Sequence, residues 1–178
     1  MVVPLSGRAL SPARAFLFGK LPRHGDFVGR GLTPQSRGAW DDWLSTVLDR
    51  SREELGESFE AIHEVAPPWR FVLAPGPFGP DGQAGALAPS IDAAGRRYFI
   101  VVGGEGPPVS AEAGIAEQME DLIYRAFGEG LDADALAGAA QAVLDEAGEG
   151  ETGARQERWW TAEAAFDRAP ARLIGGAA

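Results

Sequence analysis

The sequence AGALAPSIDAAGRRYFIVV, residues 84–102, contains two apolar runs that flank a short polar segment. Runs of this length bounded by turn residues are typical of β-strands. Asp92 can accept backbone N–H bonds across the intervening turn, and Gly95 can adopt positive φ, so residues 92–95 predict a tight hairpin. Trp69–Leu73 upstream has the composition of a strand. With the strands predicted at 84–91 and 97–102, it makes an antiparallel meander.

Helical periodicity marks the segments on both sides of this meander. Thr33 as N-cap and Pro34 at the first helical position predict a helix that ends near Gly56. A short second helix is predicted at 58–65. A further helix follows Ser110 as N-cap, and a third long helix starts at Asp132 or Asp134. The apolar stripes that carry the two clearest predictions are Trp40, Trp43, Leu44, Val47 and Leu48, and then Ile115, Met119, Leu122, Ile123, Ala126 and Phe127.

The remaining segments complete a single α/β domain. Short strands are predicted at 15–18, at 27–28 and at 159–161, and loops at 75–82, 103–108 and 148–153. Residues 1–14 are expected to be a flexible lead-in, 15–174 the domain, and 175–178 a disordered tail. The predicted fold is an antiparallel β-sheet with helices on at least one face.

Composition removes several functional classes. The formal net charge is -10 and Lys20 is the single lysine, so binding to nucleic acid or to an anionic membrane surface is disfavoured. Cysteine is absent and histidine occurs twice, which excludes disulfides, thiol nucleophiles and Cys-rich zinc sites. The sequence has no apolar run long enough to span a bilayer and no secretory leader pattern, so a cytoplasmic protein is expected.

Three catalytic interpretations are weak. Gly19-Lys20 lacks the Walker spacing and is followed by Leu21-Pro22, so a phosphate-binding loop is disfavoured. Ser90, His24 and either Asp26 or Asp92 could make a hydrolase triad, but Ser90 has no G-x-S-x-G context. Two histidines cannot fill a typical di-metal site, which leaves an all-carboxylate magnesium site as the metal alternative. We therefore expect no catalytic residues, cofactor or metal.

The adjacent Trp159 and Trp160 suggest a different role. Neighbouring residues of a strand point to opposite faces, so one indole should be buried and the other less so. An outer ring left uncovered by a helix could anchor a protein interface.

Several segments, in order, resemble the TagF (ImpM) family of type VI secretion accessory proteins. They are Phe18-Gly19-Lys20-Leu21-Pro22, Gly25-Asp26-Phe27-Val28 with Arg30, Trp40-Asp41-Asp42-Trp43-Leu44, Ala66-Pro67-Pro68-Trp69-Arg70-Phe71, Pro89-Ser90-Ile91-Asp92-Ala93-Ala94-Gly95-Arg96, and Trp159-Trp160-Thr161. The resemblance implies a longin-like or profilin-like fold with the sheet between helices. It also implies a non-enzymatic repressor of type VI secretion that binds a forkhead-associated (FHA) scaffold protein. The oligomeric state and partner-binding face stay open.

Two loop segments are the candidate interaction surface under this interpretation. The segment from Lys20 to Arg30 and the turn from Asp92 to Arg96 would present fixed loops on the sheet. Their polar selectivity is expected from Lys20, Arg23, Asp26, Arg30 and Arg96. An equally weighted alternative is that Gly25, Asp26, Asp92 and Gly95 only hold turn geometry. A structural component of the secretion apparatus and a hydrolase remain as functional alternatives.

Overall fold

The computed structural model describes residues 12–106, 114–147, 157–162 and 165–166. These form one seven-stranded sheet in the order β2-β1-β5-β4-β3-β6-β7, in which every neighbouring pair is antiparallel. The strands are β1 (Arg14–Gly19), β2 (Val28–Arg30), β3 (Trp69–Leu73), β4 (Gln83–Ile91), β5 (Arg97–Glu105), β6 (Arg158–Trp160) and β7 (Ala165–Phe166). The predicted meander is confirmed as β3, β4 and β5.

Helices cover both faces of the sheet, so the predicted sandwich is confirmed. On one face lie α1 (Pro34–Leu55) and α2 (Phe59–Val65), joined by a 3-10 turn, and on the other lie α3 (Ile115–Glu129) and α4 (Ala133–Ala147). Consecutive residues of a central strand therefore enter different cores: Ile100 packs toward α3 and α4, while Phe99 and Val101 pack toward α1. This two-sided burial explains why β5 is a continuous apolar run instead of an alternating one.

The first helix begins and ends as predicted. Thr33 adopts an extended backbone and its Oγ1 accepts the Ser36 N–H at 3.1 Å, while Pro34 occupies the first turn. Gly56, with φ 51°, ends the helix. Trp40 and Leu44, which belong to the predicted apolar stripe of this helix, are fully buried. Asp132 likewise begins α4, because its side chain accepts the Ala135 N–H at 2.8 Å.

One predicted loop is partly wrong. Residues 103–105 of the expected 103–108 loop continue β5, and the glycines there are sites of close packing. A Cβ on Gly104 would lie 2.6 Å from Leu144 of α4, and a Cβ on Gly103 would lie 2.7 Å from the Ala84 carbonyl oxygen. Glycine in this strand allows α4 and β4 to approach closely.

Several predictions fall wholly or partly outside the described residues. These are most of the lead-in, the Ser110 cap, the 148–153 loop and the C-terminal tail. The boundary of the lead-in moves slightly, because Ala13 is buried and β1 already begins at Arg14. Within the described ranges, no helix combines the length and apolarity needed to cross a membrane.

Candidate functional site

The Asp92 carboxylate joins the two loops that the sequence singles out. Its side chain has no exposed surface, and Oδ2 accepts from Lys20 Nζ at 2.9 Å and from Arg96 Nε at 2.7 Å. Oδ1 accepts the backbone N–H groups of Ala94 and Arg96 at 3.0 and 2.9 Å. Burial alone would raise the pKa of this carboxyl. The hydrogen bonds from Lys20 and Arg96 outweigh burial and hold the pKa well below its usual range.

Further bonds fix the β1–β2 loop against the β4–β5 hairpin. The Ser90 hydroxyl donates to the Lys20 carbonyl at 2.7 Å, and the Ala93 N–H donates to the His24 carbonyl at 2.8 Å. The Arg96 guanidinium also donates to the Gly25 carbonyl at 2.6 Å. Residues 20–30 and 92–96 therefore form one connected unit, called the loop platform below.

The loop platform is also attached to the corner between α3 and α4. His24 Nε2 accepts the Ala133 N–H at 3.1 Å at the start of α4, and Arg23 donates to the Gly130 carbonyl at 3.3 Å. Arg30 pairs with Asp134 at 2.7 Å between two exposed side chains. Sequence reasoning missed this role of His24, because only the fold shows that residue 133 lies beside it.

Exposed side chains cover the outside of the loop platform. Arg23, Asp26 and Arg30 are exposed, and the Arg96 side chain keeps 60% of its surface. Asp26 makes a local bond to the Phe27 N–H, and Phe27 itself is 39% exposed. Lys20 and Leu21 are buried, whereas Pro22 is exposed. In the predicted segment from Lys20 to Arg30, the first two residues are therefore buried, and most of the polar side chains that follow face the solvent.

The turn-geometry alternative applies to some of these residues only. It is confirmed for Asp92, and for Gly95, whose φ is +78°. The position of Gly25 does not require glycine, because its φ is not positive and an added Cβ would meet nothing within 4 Å. Asp26 is intermediate, since its carboxylate accepts the N–H of the adjacent Phe27 and is otherwise exposed.

The other motif residues lie away from the loop platform and hold helices to the sheet. Arg70 of β3 pairs with Glu120 at 2.6 Å and Glu117 at 3.3 Å on α3. Trp69 is buried beside it in the opposite core. Trp69 and Arg70 therefore contribute to the packing of helices on the sheet.

The sequence left open whether the outer indole of the Trp159-Trp160 pair stays uncovered, and both rings are covered. Trp159 and Trp160 do point to opposite faces, but their exposures are 0% and 8%. Trp159 packs on Trp43 and Phe71 with ring centroids 5.3 and 5.2 Å apart. Trp160 donates to Glu117 at 3.3 Å. Both faces carry helices, so neither indole is free to anchor a partner.

The hydrolase triad that the sequence left open is not assembled. The Ser90 proton is directed to the Lys20 carbonyl, the His24 ring accepts from α4, and Asp92 is bound to Lys20 and Arg96. Among the residues that the structure describes, no group of three or more His, Cys, Asp or Glu side chains is arranged to hold a metal ion. The geometry provides a fixed polar surface.

Two clefts flank the hairpin beside the loop platform. A cleft of about 760 Å³ lies between α1, α2 and β5, with Arg52, Phe59 and Arg97 among its walls. A cleft of about 420 Å³ is lined by Ile91 and Phe127 and shares Arg97. Gly95 also contributes to both, so the two clefts meet at the hairpin.

Taken together, the helix-covered sheet and the fixed loops at its end define an α/β domain with an exposed polar loop surface. Residues 17–143 match the family model of the TagF N-terminal domain, described as type VI secretion system-associated, and the chain belongs to this family.

A solved structure supports this assignment. PA0076 from Pseudomonas aeruginosa PAO1 is 28% identical in sequence, with a TM-score of 0.65. The similarity covers 87% of this chain and 71% of PA0076. No curated protein matches the chain.

Proposed function

We propose that this protein is a cytoplasmic regulator that represses type VI secretion by binding an FHA-domain scaffold protein, without catalysing a reaction. The family places the chain in type VI secretion. The repressor role and the scaffold partner follow from the family resemblance of its motifs. The loop platform is the surface proposed to make the contact.

The observation that carries this proposal is the Asp92 network. A buried carboxylate with four hydrogen bonds holds residues from two distant loops in one arrangement. Loops fixed before binding lose little conformational entropy when a partner docks, which favours affinity. Exposed polar side chains on this fixed base, such as Arg23 and Asp26, then supply selectivity for one partner.

The proposal of a non-enzymatic role is supported by the internal bonding of the polar groups. The side chains that chemistry would need at this site are Ser90, Asp92 and His24. Each of them makes internal hydrogen bonds that stabilise loops or helix ends. A nucleophile bonded to a backbone carbonyl lacks the adjacent base that would activate it.

Calorimetric titration of the protein against the FHA scaffold from the same bacterium tests the proposal. The titration is run with the scaffold in phosphothreonine-bearing and unmodified forms. Saturable binding at micromolar affinity or tighter is the expected result, and the difference between forms shows whether phosphorylation controls this contact. The absence of heat and of co-elution in both forms would overturn scaffold binding.

An Asp26→Ala variant tests whether the loop platform makes the contact. The Asp26 carboxylate is exposed and bonds only the adjacent N–H, so its loss should leave the melting temperature nearly unchanged. We expect weaker scaffold binding in the same titration. Asp42→Ala, which removes an exposed carboxylate from α1, is the matched control and should bind normally. A lowered melting temperature in Asp26→Ala would instead assign this residue to turn structure.

A further inference from the structure

Ile91 and Arg97 lie directly opposite each other at the open end of the β4–β5 hairpin. Residues paired across antiparallel strands have side chains on the same face with Cβ atoms about 5 Å apart. Ile91 is 37% exposed and is among the few large apolar side chains on the described surface. An apolar and a cationic side chain are thus presented side by side, between the two clefts.

Arg97 forms two long ion pairs, with Glu60 and Glu64 of α2. Its guanidinium lies 3.8 Å from Glu60 and 3.9 Å from Glu64, both beyond hydrogen-bond distance. The Arg97 side chain is 21% exposed, whereas those of Glu60 and Glu64 are 79% and 71% exposed. Long ion pairs with exposed carboxylates are weak, so an incoming anion can displace Glu60 and Glu64 from Arg97.

Arg52 extends the cationic side of the same cleft. Its side chain is 49% exposed, with one contact to Asp49 at 3.5 Å, and its guanidinium lies over the Phe59 ring at 5.4 Å. Two incompletely paired arginines therefore line this cleft in a chain whose net charge is -10. Lys20 and Arg96, also in its wall, are already paired with Asp92.

We propose that the Ile91–Arg97 pair is a two-point docking site for an extended protein segment that carries a carboxylate and an apolar side chain on one side. The carboxylate would bind Arg97, with Arg52 nearby, and the apolar side chain would pack on Ile91 in the smaller cleft. Alternate residues of an extended segment point the same way, so acidic and apolar residues two positions apart fit the pair.

A single carboxylate fits this site better than a phosphate group. Asp49, Glu57 and Glu60 also line the larger cleft, so a phosphate with nearly two negative charges would meet more repulsion. Arginine forms a bidentate pair with a planar carboxylate, which adds directional specificity. A phosphorylated segment is therefore the competing outcome of the test.

The first experimental arm uses the scaffold protein and rests on the proposed function. Titrations compare the natural protein with Arg97→Gln, Arg52→Glu and Ile91→Ser. We expect roughly tenfold or greater weakening for Arg97→Gln and Ile91→Ser, because each removes a central contact of the pair. Arg50→Glu changes charge on the same helix, and Val65→Ser removes an exposed apolar side chain outside both clefts. Both controls should bind normally.

The second arm needs no scaffold. Synthetic peptides with Leu-x-Glu, Leu-x-phosphothreonine, Leu-x-Lys and Ser-x-Glu centres are titrated to millimolar concentration, with amide NMR shifts as the readout. Only Leu-x-Glu should shift the Gly95 and Arg97 resonances, and Arg97→Gln should abolish those shifts. Thermal melts of each variant exclude misfolding as the cause.

The two arms separate failure of this inference from failure of the proposed function. Scaffold binding that tolerates Arg97→Gln and Ile91→Ser, with no peptide shifts, overturns the docking site and leaves the scaffold proposal intact. Peptide binding without scaffold binding overturns the scaffold proposal and supports the site. A stronger response to the phosphothreonine peptide, or shifts that do not include the pair, also overturns the site as proposed.

Discussion

At the scale of single residues, Asp92 is the group on which the loop platform depends most. Its carboxylate is buried and accepts four hydrogen bonds, two of them from cations. Removal of one member of a buried ion pair leaves the other charge without compensation, which typically costs about 3 to 5 kcal/mol. Asp92 therefore stabilises the β4–β5 turn and also binds the Lys20 ammonium group of the other loop.

Asp92→Ala should lower the free energy of unfolding, because Lys20 would stay buried without its counter-ion. Denaturant unfolding followed by circular dichroism measures the change. Asp92→Ala combined with Lys20→Met should recover part of the loss, since the uncompensated charge is removed. A double variant no more stable than the single one would show that the turn hydrogen bonds, and not the ion pair, dominate.

The Asp92 carboxyl also predicts how stability responds to strong acid. Its pKa is lower in the folded protein than the usual value of 3.8, so the unfolded state binds the proton more readily. The stabilisation is present above the unfolded pKa and is lost as pH falls below it. Stability measured from pH 5 to pH 2, about the range in which carboxyls protonate, should fall less steeply in Asp92→Asn than in the natural protein.

Gly25 shows a limit of residue-level interpretation. The pattern Gly25-Asp26 suggests a turn that needs glycine, yet the backbone at Gly25 suits other residues and the space around it is open. Asp92 and Gly95 were predictable because the hairpin is local in sequence. The bond between Lys20 and Asp92 was not, since it joins residues 72 positions apart.

At the scale of elements, α2 is held on the sheet by a buried histidine. His63 Nε2 lies 2.7 Å from the Tyr98 carbonyl oxygen of β5, and the ring is 1% exposed. Burial is the largest influence and lowers the pKa of His63, assisted by the nearby Arg97 and Arg52. The neutral ring is therefore the form that fits the folded protein.

Mild acid should loosen this contact. Because the folded pKa of His63 lies below 6.5, its contribution to stability is complete above pH 6.5 and declines as pH falls. His63→Gln keeps an N–H donor toward Tyr98 but does not titrate. Melting temperatures compared between pH 7.5 and about 5.5, across the ordinary histidine range, should drop more for the natural protein than for the variant. Equal drops would assign the acid sensitivity to other groups.

Contact between α4 and β5 depends on Gly104. An added methyl group would lie 2.6 Å from a Leu144 methyl carbon, so Gly104→Ala should destabilise the protein by about 1 to 3 kcal/mol through overpacking. In a double-mutant cycle with Leu144→Ala, the combined loss should be smaller than the sum, because the new methyl fills space that Leu144 vacates. Additive losses would mean that the helix shifts to relieve the clash.

Prediction succeeded for elements whose signals are local and failed where distant packing decides. Thr33, Pro34 and the spacing of Trp40 and Leu44 were sufficient for α1. Gly103 and Gly104 looked like a loop because glycine weakens strands, and only the proximity of α4 explains them.

At the scale of the whole molecule, one sheet separates two apolar cores. Each core has its own helices, and both use residues of the same central strands, such as Ile100 and Val101 of β5. Loss of these strands would expose both cores together. The described domain should therefore unfold as one cooperative unit, as is usual at this size.

A Trp160→Phe variant tests this cooperativity. Trp160 is the tryptophan in the α3 and α4 core, and the other four lie on the α1 side, so fluorescence of the variant reports mainly one core. Circular dichroism reports helices of both. Coincident midpoints in urea would confirm one transition, and separated midpoints would show that the two halves unfold independently.

Predictions about partner class and interface also depend on properties of the whole molecule. The acidic balance of the chain disfavours nucleic acid as a partner on sequence grounds alone. The sandwich could be predicted from periodicity and from the family resemblance. Its covering of both faces could not be derived from local pattern alone, and it removed the tryptophan pair as a candidate interface.

The bond between His24 and Ala133 has a consequence for the order of events during synthesis. The loop platform contains residues from the first fifth of the chain, yet it is attached to a helix that begins more than a hundred residues later. Contacts this far apart in sequence form late, because a long loop must first close. A nascent chain on the ribosome therefore cannot complete the loop platform until α4 has emerged.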